Sequence, residues 1–355
     1  MEDRRRGDGV RIAVVLPCYR SKDHVLDVIG GIGPEAFLIV AVDDACPQAT
    51  GRHIREHCSD RRVVVVENPA NLGVGGATLH GYRVALEHGA DIVVKMDSDG
   101  QMDPGLLPGI VHPVVAGLAD YAKGNRFFDV DGLTAMPRVR IFGNASLSFL
   151  TKFSTGYWTI FDPTNGYTAI HRVALEALPL ARIDQGYFFE SDLLFRLYLA
   201  GAVVIDVPMA ARYGAEASNL RVRSVVLPFL FKNLRNFGKR VFYRYFLRDL
   251  NFGSVELVVG TILLLFGGIF GLVKWIDSSS SGIPATAGQA MLTGLPILVG
   301  VQMLLGFLSF DFQAVPRVPL QVILGRSRRG GGARAGSEGG GPSPGGGVDS
   351  TVRRL

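Results

Sequence analysis

Two carboxylates stand one residue apart at Asp97-Ser98-Asp99, with Gln101 two positions further on, directly after the apolar run 91–96 (DIVVKM). Leaving a strand on one turn, both can reach a single hard cation. A Mg²⁺ held by one or two carboxylates keeps its other positions for water and phosphate oxygens. A diphosphate leaving group needs that neutralisation as its bond breaks. Alone, the D-x-D spacing is more often an Asx turn; its place at a strand end is what favours chemistry.

Other polar groups follow other apolar runs. Asp43-Asp44 closes the run 37–42 (FLIVAV), where a carboxylate can accept hydrogen bonds from a uracil or guanine edge. Pro17-Cys18-Tyr19-Arg20 follows 11–17 (RIAVVLP) and can place an aromatic ring and a cation beside a base or phosphate. Asn71-Leu72-Gly73-Val74-Gly75-Gly76 lies between a third apolar run, 63–66, and a helix. It is similar to a dinucleotide fingerprint, but Thr78 holds the last glycine position and the motif follows the third strand, so a dehydrogenase is disfavoured. Glu190 and Asp192 open a helix at 188–200 that Gly201 stops. Either can serve as a base for a hydroxyl acceptor, or both can simply favour the helix dipole.

The elements that must position these residues read β-α-β-α-β-α-β. Short apolar runs alternate with helical stretches at 22–31, 48–58 and 75–88, which predicts a doubly wound α/β sheet with its ligand at the carboxyl ends of the strands. Residues 120–215 are less regular, apart from the helix at 188–200 and a strand at 202–207. Residues 219–250 carry eight basic residues against one acid, Asp249, with Leu227, Leu230, Phe231, Leu234, Phe237, Val241 and Tyr245 at helical spacing. That pattern suits a helix lying in a bilayer interface, or else one packed on the soluble domain.

Residues 257–273 contain no charge and are just long enough to span a bilayer. A second uncharged stretch, 288–310, contains Pro296. The loop between them lacks Lys and Arg while both outer flanks are basic, which places the loop outside and both flanks in the cytoplasm. Gly267 and Gly271 form a small-xxx-small pair suited to helix association. Three cysteines without C-x-x-C spacing argue against a disulfide framework or zinc site. The charged start, 1–10, is not a signal peptide, and the Gly-rich end from about 327 cannot bury a core.

Taken together, these motifs resemble glycosyltransferase family 2, in the branch of dolichyl-phosphate mannose synthase and bacterial polyprenyl-phosphate glycosyltransferases. The resemblance covers about residues 11–315. It rests on Leu16-Pro17-Cys18-Tyr19, Val42-Asp43-Asp44, Asn71/Gly73/Gly75, Asp97/Asp99/Gln101, Gly124-Asn125-Arg126 and Asp162-Pro163-Thr164-Asn165-Gly166-Tyr167. Cys18, Arg20, Ala45 and Asn165 depart from the family's usual residues, Ala45 standing where a glycine is common.

The resemblance implies a GT-A (Rossmann-like, doubly wound) domain at 11–215 after a basic tail, 1–10. Basic interfacial helices at 219–250, two transmembrane helices within 254–310 and a cytoplasmic, largely disordered tail at 311–355 follow. It implies donor binding by Pro17, Tyr19, Asp43, Asp44, Asn71, Gly73, Gly75, Asp97, Ser98 and Gln101. Mg²⁺ or Mn²⁺ is expected on Asp97 and Asp99, and catalytic roles fall to Asp99, Asp162 and Arg126. A lipid phosphate is anionic near neutral pH and needs cations rather than a base; Arg138 and Arg140 are the further candidates for holding it. The expected reaction is inverting transfer from a nucleotide-sugar donor to a polyprenyl phosphate, by a multi-pass protein of the cytoplasmic membrane with a cytoplasmic catalytic domain. Transfer to a glycan or glycolipid hydroxyl, with Glu190 or Asp192 as base, is the rival within the class; a non-enzymatic membrane scaffold is the rival outside it. Expected partners are the nucleotide-sugar donor, the lipid and the membrane, with a homo-oligomer left open and no nucleic acid.

Overall fold

In the computed structural model the described residues are 9–128, 138–209 and 222–324. The four apolar runs become β1 (Ile12–Cys18), β2 (Ala36–Asp43), β3 (Val63–Glu67) and β4 (Ile92–Lys95). Their valines and isoleucines fit a pleated surface covered on both faces. Helices α1 (Val25–Gly31), α2 (Thr50–His57) and α3 (Gly73–Glu87) alternate with them, and α4 (Leu107–Val115) follows β4. Beyond these come β5 (Tyr121–Asn125), α5 (Arg138–Thr155), β6 (Thr168–His171), α6 (Arg172–Glu176), α7 (Phe189–Ala200) and β7 (Val204–Pro208).

The seven strands form one sheet in the order β3-β2-β1-β4-β6-β5-β7. All neighbours are parallel except β6, which runs antiparallel between β4 and β5. The doubly wound expectation therefore holds for the first half and is modified in the second. β5 (YAKGN) and β6 (TAIH) escape sequence reading because they are short and carry no continuous apolar run. Apolar side chains bury on both faces of the sheet, with Tyr82, Leu79 and Leu193 on one and Ile29, Ile54 and Ile110 on the other.

After β7, α8 (Val222–Phe242) runs into a π-helical segment, Tyr243–Arg248, and then into two long helices, α9 (Phe252–Ser281) and α10 (Ala287–Gln313). Each long helix starts on a capping box, Asn251 with Ser254 and Thr286 with Gln289, which satisfies two otherwise unpaired donors at each start. Both are long and apolar enough to cross a membrane, with mean hydropathies of 2.2 and 2.0. They pack on each other through glycine: a Cβ on Gly300 would lie 2.8 Å from the backbone nitrogen of Leu264. Gly267 and Gly271 face Ile297 and Thr293 of α10 in the same way, so this pair associates helices within one chain.

The hairpin is locked to the α/β domain by one buried carboxylate. Asp311, near the end of α10, accepts from Arg240 Nη1 and Nη2 (2.6 and 3.0 Å), Tyr245 Oη (2.6 Å) and Trp158 Nε1 (3.0 Å). Arg240 and Asp311 are both inaccessible to water. Arg240 also donates to the carbonyl of Phe153 in α5. The chain then returns to the sheet. Asp120, fully buried before β5, accepts from the backbone N–H groups of Val203, Leu320 and Gln321. Gln321 Nε2 donates to the carbonyls of Val114 and Ala119. Residues 311–324 are thus part of the fold, which corrects the expectation that they belong to one largely disordered tail over 311–355; residues 325–355 lie outside the described residues.

Candidate active site

The carboxyl ends of β1, β2 and β4 bring the predicted motifs to one edge of the sheet. Asp43 caps the start of α2: its two oxygens accept from Cys46 N (2.7 Å) and Gly51 N (2.5 Å). Asp44 reaches across to the glycine-rich turn, accepting from Asn68 Nδ2, Leu72 N and Gly73 N at 2.7–2.9 Å. Both carboxylates are buried. Each already holds backbone donors in place, and only their remaining lone pairs can meet a base. Tyr19, by contrast, is half exposed, with the Arg20 guanidinium 5.5 Å from its ring centroid.

Backbone strain concentrates here. Arg20, Ala45 and Ala49 have φ of 56°, 49° and 50°, a region costly for residues with a Cβ and often seen at functional sites. Ala45 is the position where the family resemblance expects glycine, and its φ gives the physical reason. Replacing Ala45 with Gly should stabilise the fold by about 1 kcal/mol, read as a raised denaturant midpoint; a lowered midpoint would show that the Ala45 methyl packs usefully.

The glycine-rich turn is used for close approach. Gly75 N and Gly76 N donate to the carbonyl of Gln185 (2.9 and 3.1 Å). A Cβ on Gly75 would lie 2.7 Å from the carbonyl oxygen of Asp184 and 2.8 Å from Phe189 Cβ. Gly73, at φ +79°, donates to Asp44 and to Asn71 Oδ1. Gly73 and Gly75 therefore let the start of α3 approach residues 184–189 closely, and Asn71 holds the turn through Gly73 N.

At the end of β4, Asp99 Oδ1 accepts from Gln101 N (3.0 Å), closing an Asx turn. Ser98, expected to bind donor, is buried, its hydroxyl donating to the Pro17 carbonyl and accepting from Ser21 Oγ, both at 2.8 Å. It braces the D-x-D turn against the loop after β1. Beneath the turn lies a residue that sequence reasoning missed. Lys95 is 1% exposed, and its Nζ sits 2.7 Å from Asp97 Oδ1, 3.3 Å from Glu190 Oε1 and 3.5 Å from the Gly166 carbonyl. One ammonium thus joins the D-x-D motif, the start of α7 and the Asp162–Tyr167 loop. Burial works against its charge, but the carboxylates of Asp97 and Glu190 raise its pKa above the ordinary lysine value. The signal was present: a lysine inside an apolar strand run stays buried only if it is paired.

Asp162 and Arg126 form the adjoining pair. Asp162, 2% exposed, accepts from Arg126 Nε (2.7 Å) and Nη2 (3.0 Å). Burial opposes its ionisation, yet the Arg126 hydrogen bonds and the charge of buried Lys123 hold it below the usual carboxylate range. Asp162 is therefore an ionised partner that orients Arg126. Arg138 and Arg140 open α5, and their side chains lie outside the described residues. Of the two alternative bases, Glu190 faces Lys95 and Asp97. Asp192 is buried, with its oxygens taken by Asp184 N, Arg196 Nε and Asn236 Nδ2, which fits packing and not proton transfer.

Among the described residues no group of three or more His, Cys, Asp or Glu side chains is placed to hold a metal. Asp97 and Asp99 supply hard carboxylate oxygens at one strand end, neither of them buried. This suits a Mg²⁺-type ion whose other ligands are water and phosphate. The three cysteines are free thiols.

The basic helix faces opposite to a soluble packing helix. Asn233, Asn236 and Arg240 are buried against the α/β domain, whereas Leu227, Phe231 and Leu234 are 72, 68 and 55% exposed. Arg235 and Lys239 point outward, but Lys232 pairs with Asp184 at 2.5 Å. Lys232 is thus not among the outward charges, because a carboxylate of the domain lies within its reach.

A family model described as glycosyl transferase family 2 matches residues 13–178. The polyprenol monophosphomannose synthase of Mycolicibacterium smegmatis is 31% identical over 205 residues, covering 56% of this chain and 76% of that protein. The undecaprenyl-phosphate mannosyltransferase of Micrococcus luteus is 30% identical over 205 residues, 56% of this chain and 83% of that protein. A UDP-N-acetylglucosamine–dolichyl-phosphate N-acetylglucosaminyltransferase of Methanococcus voltae is 26% identical over 247 residues, 66% and 94% of the two chains. The fold is shared with mannosyl-3-phosphoglycerate synthase from Rubrobacter xylanophilus, at TM-score 0.50 and 19% identity over 68% of this chain and 77% of that one. With the D-x-D turn, the acidic pair and the Arg126–Asp162 loop gathered at one sheet edge, and with these relatives, the chain belongs to glycosyltransferase family 2, and it is a glycosyltransferase of the GT-A fold.

Proposed function

We propose that this enzyme transfers a sugar from a nucleoside diphosphate donor to a polyprenyl phosphate at the membrane surface, with inversion. The observation that carries this reading is the outward apolar face of α8, continuous with an apolar hairpin that Asp311 fixes to the catalytic domain. A helix with Leu227, Phe231 and Leu234 exposed, and Arg235 and Lys239 beside them, lies in a bilayer interface with its leucines in lipid. The catalytic edge is then held where a lipid phosphate sits. The three relatives named above carry polyprenyl-type phosphates in their names, which supports the acceptor class.

In this reading Asp43, Asp44 and Tyr19 flank the base, and Asp97 and Asp99 hold a divalent ion. Held there, such an ion would supply the positive charge that a departing diphosphate needs. Lys95 fixes the orientation of Asp97 and ties Glu190 to it. Asp162 holds the Arg126 guanidinium toward the acceptor phosphate, whose oxygen is already anionic and needs no base. Membranes containing the enzyme, given labelled nucleotide sugar, should yield a product that extracts into organic solvent and is cleaved by mild acid but stable to base. A base-labile or water-soluble product would replace the lipid phosphate with a hydroxyl acceptor.

The same contacts support a topology with the catalytic domain on one side and the 282–286 turn on the other. Asp311 and Leu320, at and beyond the far end of α10, are bonded to the domain that precedes α9. In sealed vesicles, Ser279→Cys and Glu87→Cys should therefore react with an impermeant thiol reagent from opposite faces. Labelling of both from the same face would refute the two-span reading.

A further inference from the structure

Between α8 and the first apolar helix, residues Tyr243–Arg248 wind as a π-helix, a rare geometry that recurs at functional sites. Beside it opens a cavity of about 330 Å³ lined by Tyr198, Leu199, Tyr243, Arg244, Leu247 and Arg248. Arg240, Arg244 and Arg248 follow one another at intervals of four, but their situations differ. Arg240 is consumed by Asp311 and the Phe153 carbonyl. Arg244 and Arg248 form no ion pair among the described residues, and Arg244 Nε is buried with no hydrogen-bond partner. The carboxylates nearby are engaged: Asp311 by Arg240, Tyr245 and Trp158, and Asp249 by Asn251 Nδ2 at 3.2 Å. The cavity therefore presents two guanidinium groups, one with an unmet buried Nε, and no anion among the described residues answers them.

Its height is set by the chain. Phe252 begins α9 four residues after Arg248, and Leu247 of the lining and its chain neighbours Phe242, Leu250 and Phe252 are 54–74% exposed. This is the composition of a water–lipid boundary, with cations level with headgroups and apolar side chains level with the upper acyl chain. The cavity is separate from the catalytic edge. Tyr198 and Leu199 lie in the last turn of α7, whereas Glu190 lies in its first, about 12 Å away at 1.5 Å per residue.

We propose that this cavity binds the phosphodiester headgroup of an anionic phospholipid from the leaflet facing the catalytic domain. The non-bridging phosphate oxygens accept from Arg244 and Arg248, a geometry guanidinium favours, and Leu199 and Leu247 cover the glycerol and first methylenes. The proposal rests on the membrane reading above but not on the identity of the sugar acceptor.

The test uses the full chain purified in detergent, incubated with phosphatidylglycerol or phosphatidylcholine and examined by native mass spectrometry. The wild type should retain one phosphatidylglycerol at least tenfold more than phosphatidylcholine. Arg244→Gln/Arg248→Gln should lose that retention at least tenfold at an unchanged melting temperature, and Arg244→Lys/Arg248→Lys should keep part of it. Inorganic phosphate at 10 mM should leave the adduct intact. Equal retention by the double Gln variant would overturn the site. Displacement by inorganic phosphate would overturn the lipid as its ligand and assign a free-anion site. Sugar transfer to polyprenyl phosphate, assayed in parallel on the same samples, reports separately: its absence with the lipid adduct retained removes the acceptor reading and leaves the headgroup site standing.

Discussion

Asp99→Asn should lower sugar transfer by about a thousandfold, on the scale of the several kcal/mol that a metal contributes to a developing phosphate charge. The substitution isolates charge from architecture. Asparagine keeps the side-chain oxygen that accepts from Gln101 N, so the Asx turn persists. Neighbouring Ser98 remains bonded to Pro17 and Ser21 and keeps the turn seated on β1. What disappears is one of two carboxylates at the strand end. Mn²⁺ binding in the presence of nucleoside diphosphate, read by electron paramagnetic resonance, should weaken in parallel, and excess EDTA should bring the wild type to the variant's rate. Full turnover in saturating EDTA would remove the metal from the reaction.

Lys95→Met should reduce transfer by a hundredfold or more and destabilise the domain by about 2–3 kcal/mol. Removing one partner of a fully buried ion pair costs about 3–5 kcal/mol; here Asp97 is about one-third exposed, and water takes up part of the loss. Lys95→Arg should not restore activity, because Nζ is already enclosed at 1% exposure, with Asp97 Oδ1, Glu190 Oε1 and the Gly166 carbonyl at 2.7, 3.3 and 3.5 Å, and a longer, planar guanidinium does not fit that space. The split of effects is informative. Donor affinity should fall because Asp97 loses its fixed rotamer, and the denaturant midpoint should fall because Glu190 and Asp97 are left facing each other. Wild-type turnover and midpoint together would show that the bridge contributes nothing.

What was legible in the sequence follows from the range of the forces involved. The runs before Pro17, Asp43 and Asp97 announce themselves, because a strand covered on both faces must be apolar along its whole length. The polar residues that end those runs fall where an open α/β sheet binds ligands. The expectation that Asp97 and Asp99 hold a metal rests on that position. Lys95 was visible only as an anomaly, since its partners Gly166 and Glu190 arrive from distant loops. Ser98 looked like part of a donor site because spacing says nothing about which way a side chain turns. The basic segment was read correctly as amphipathic, but its polarity relative to the domain was not readable. Asn233, Asn236 and Arg240 turn inward only because Ser154, Asp192 and Asp311 offer them partners. β5 and β6 are held by their neighbours in the sheet and carry little pattern of their own.

The Asp120 contact has a consequence for how the protein comes into being. Asp120 and Leu320 are separated by 200 positions, and both hydrophobic helices lie between them. During synthesis the catalytic sheet emerges with the Asp120 carboxylate facing amide donors that do not yet exist, and Arg240 emerges without its counter-ion. An unpaired carboxylate and an unpaired guanidinium in a closed interior are strongly unfavourable. The domain therefore reaches its final stability only once the hairpin has formed and the chain has doubled back. On the two-span reading, integration into the bilayer is the last folding step of the catalytic domain, and a nascent chain that misses the membrane is left with an open seam for quality-control proteases to recognise.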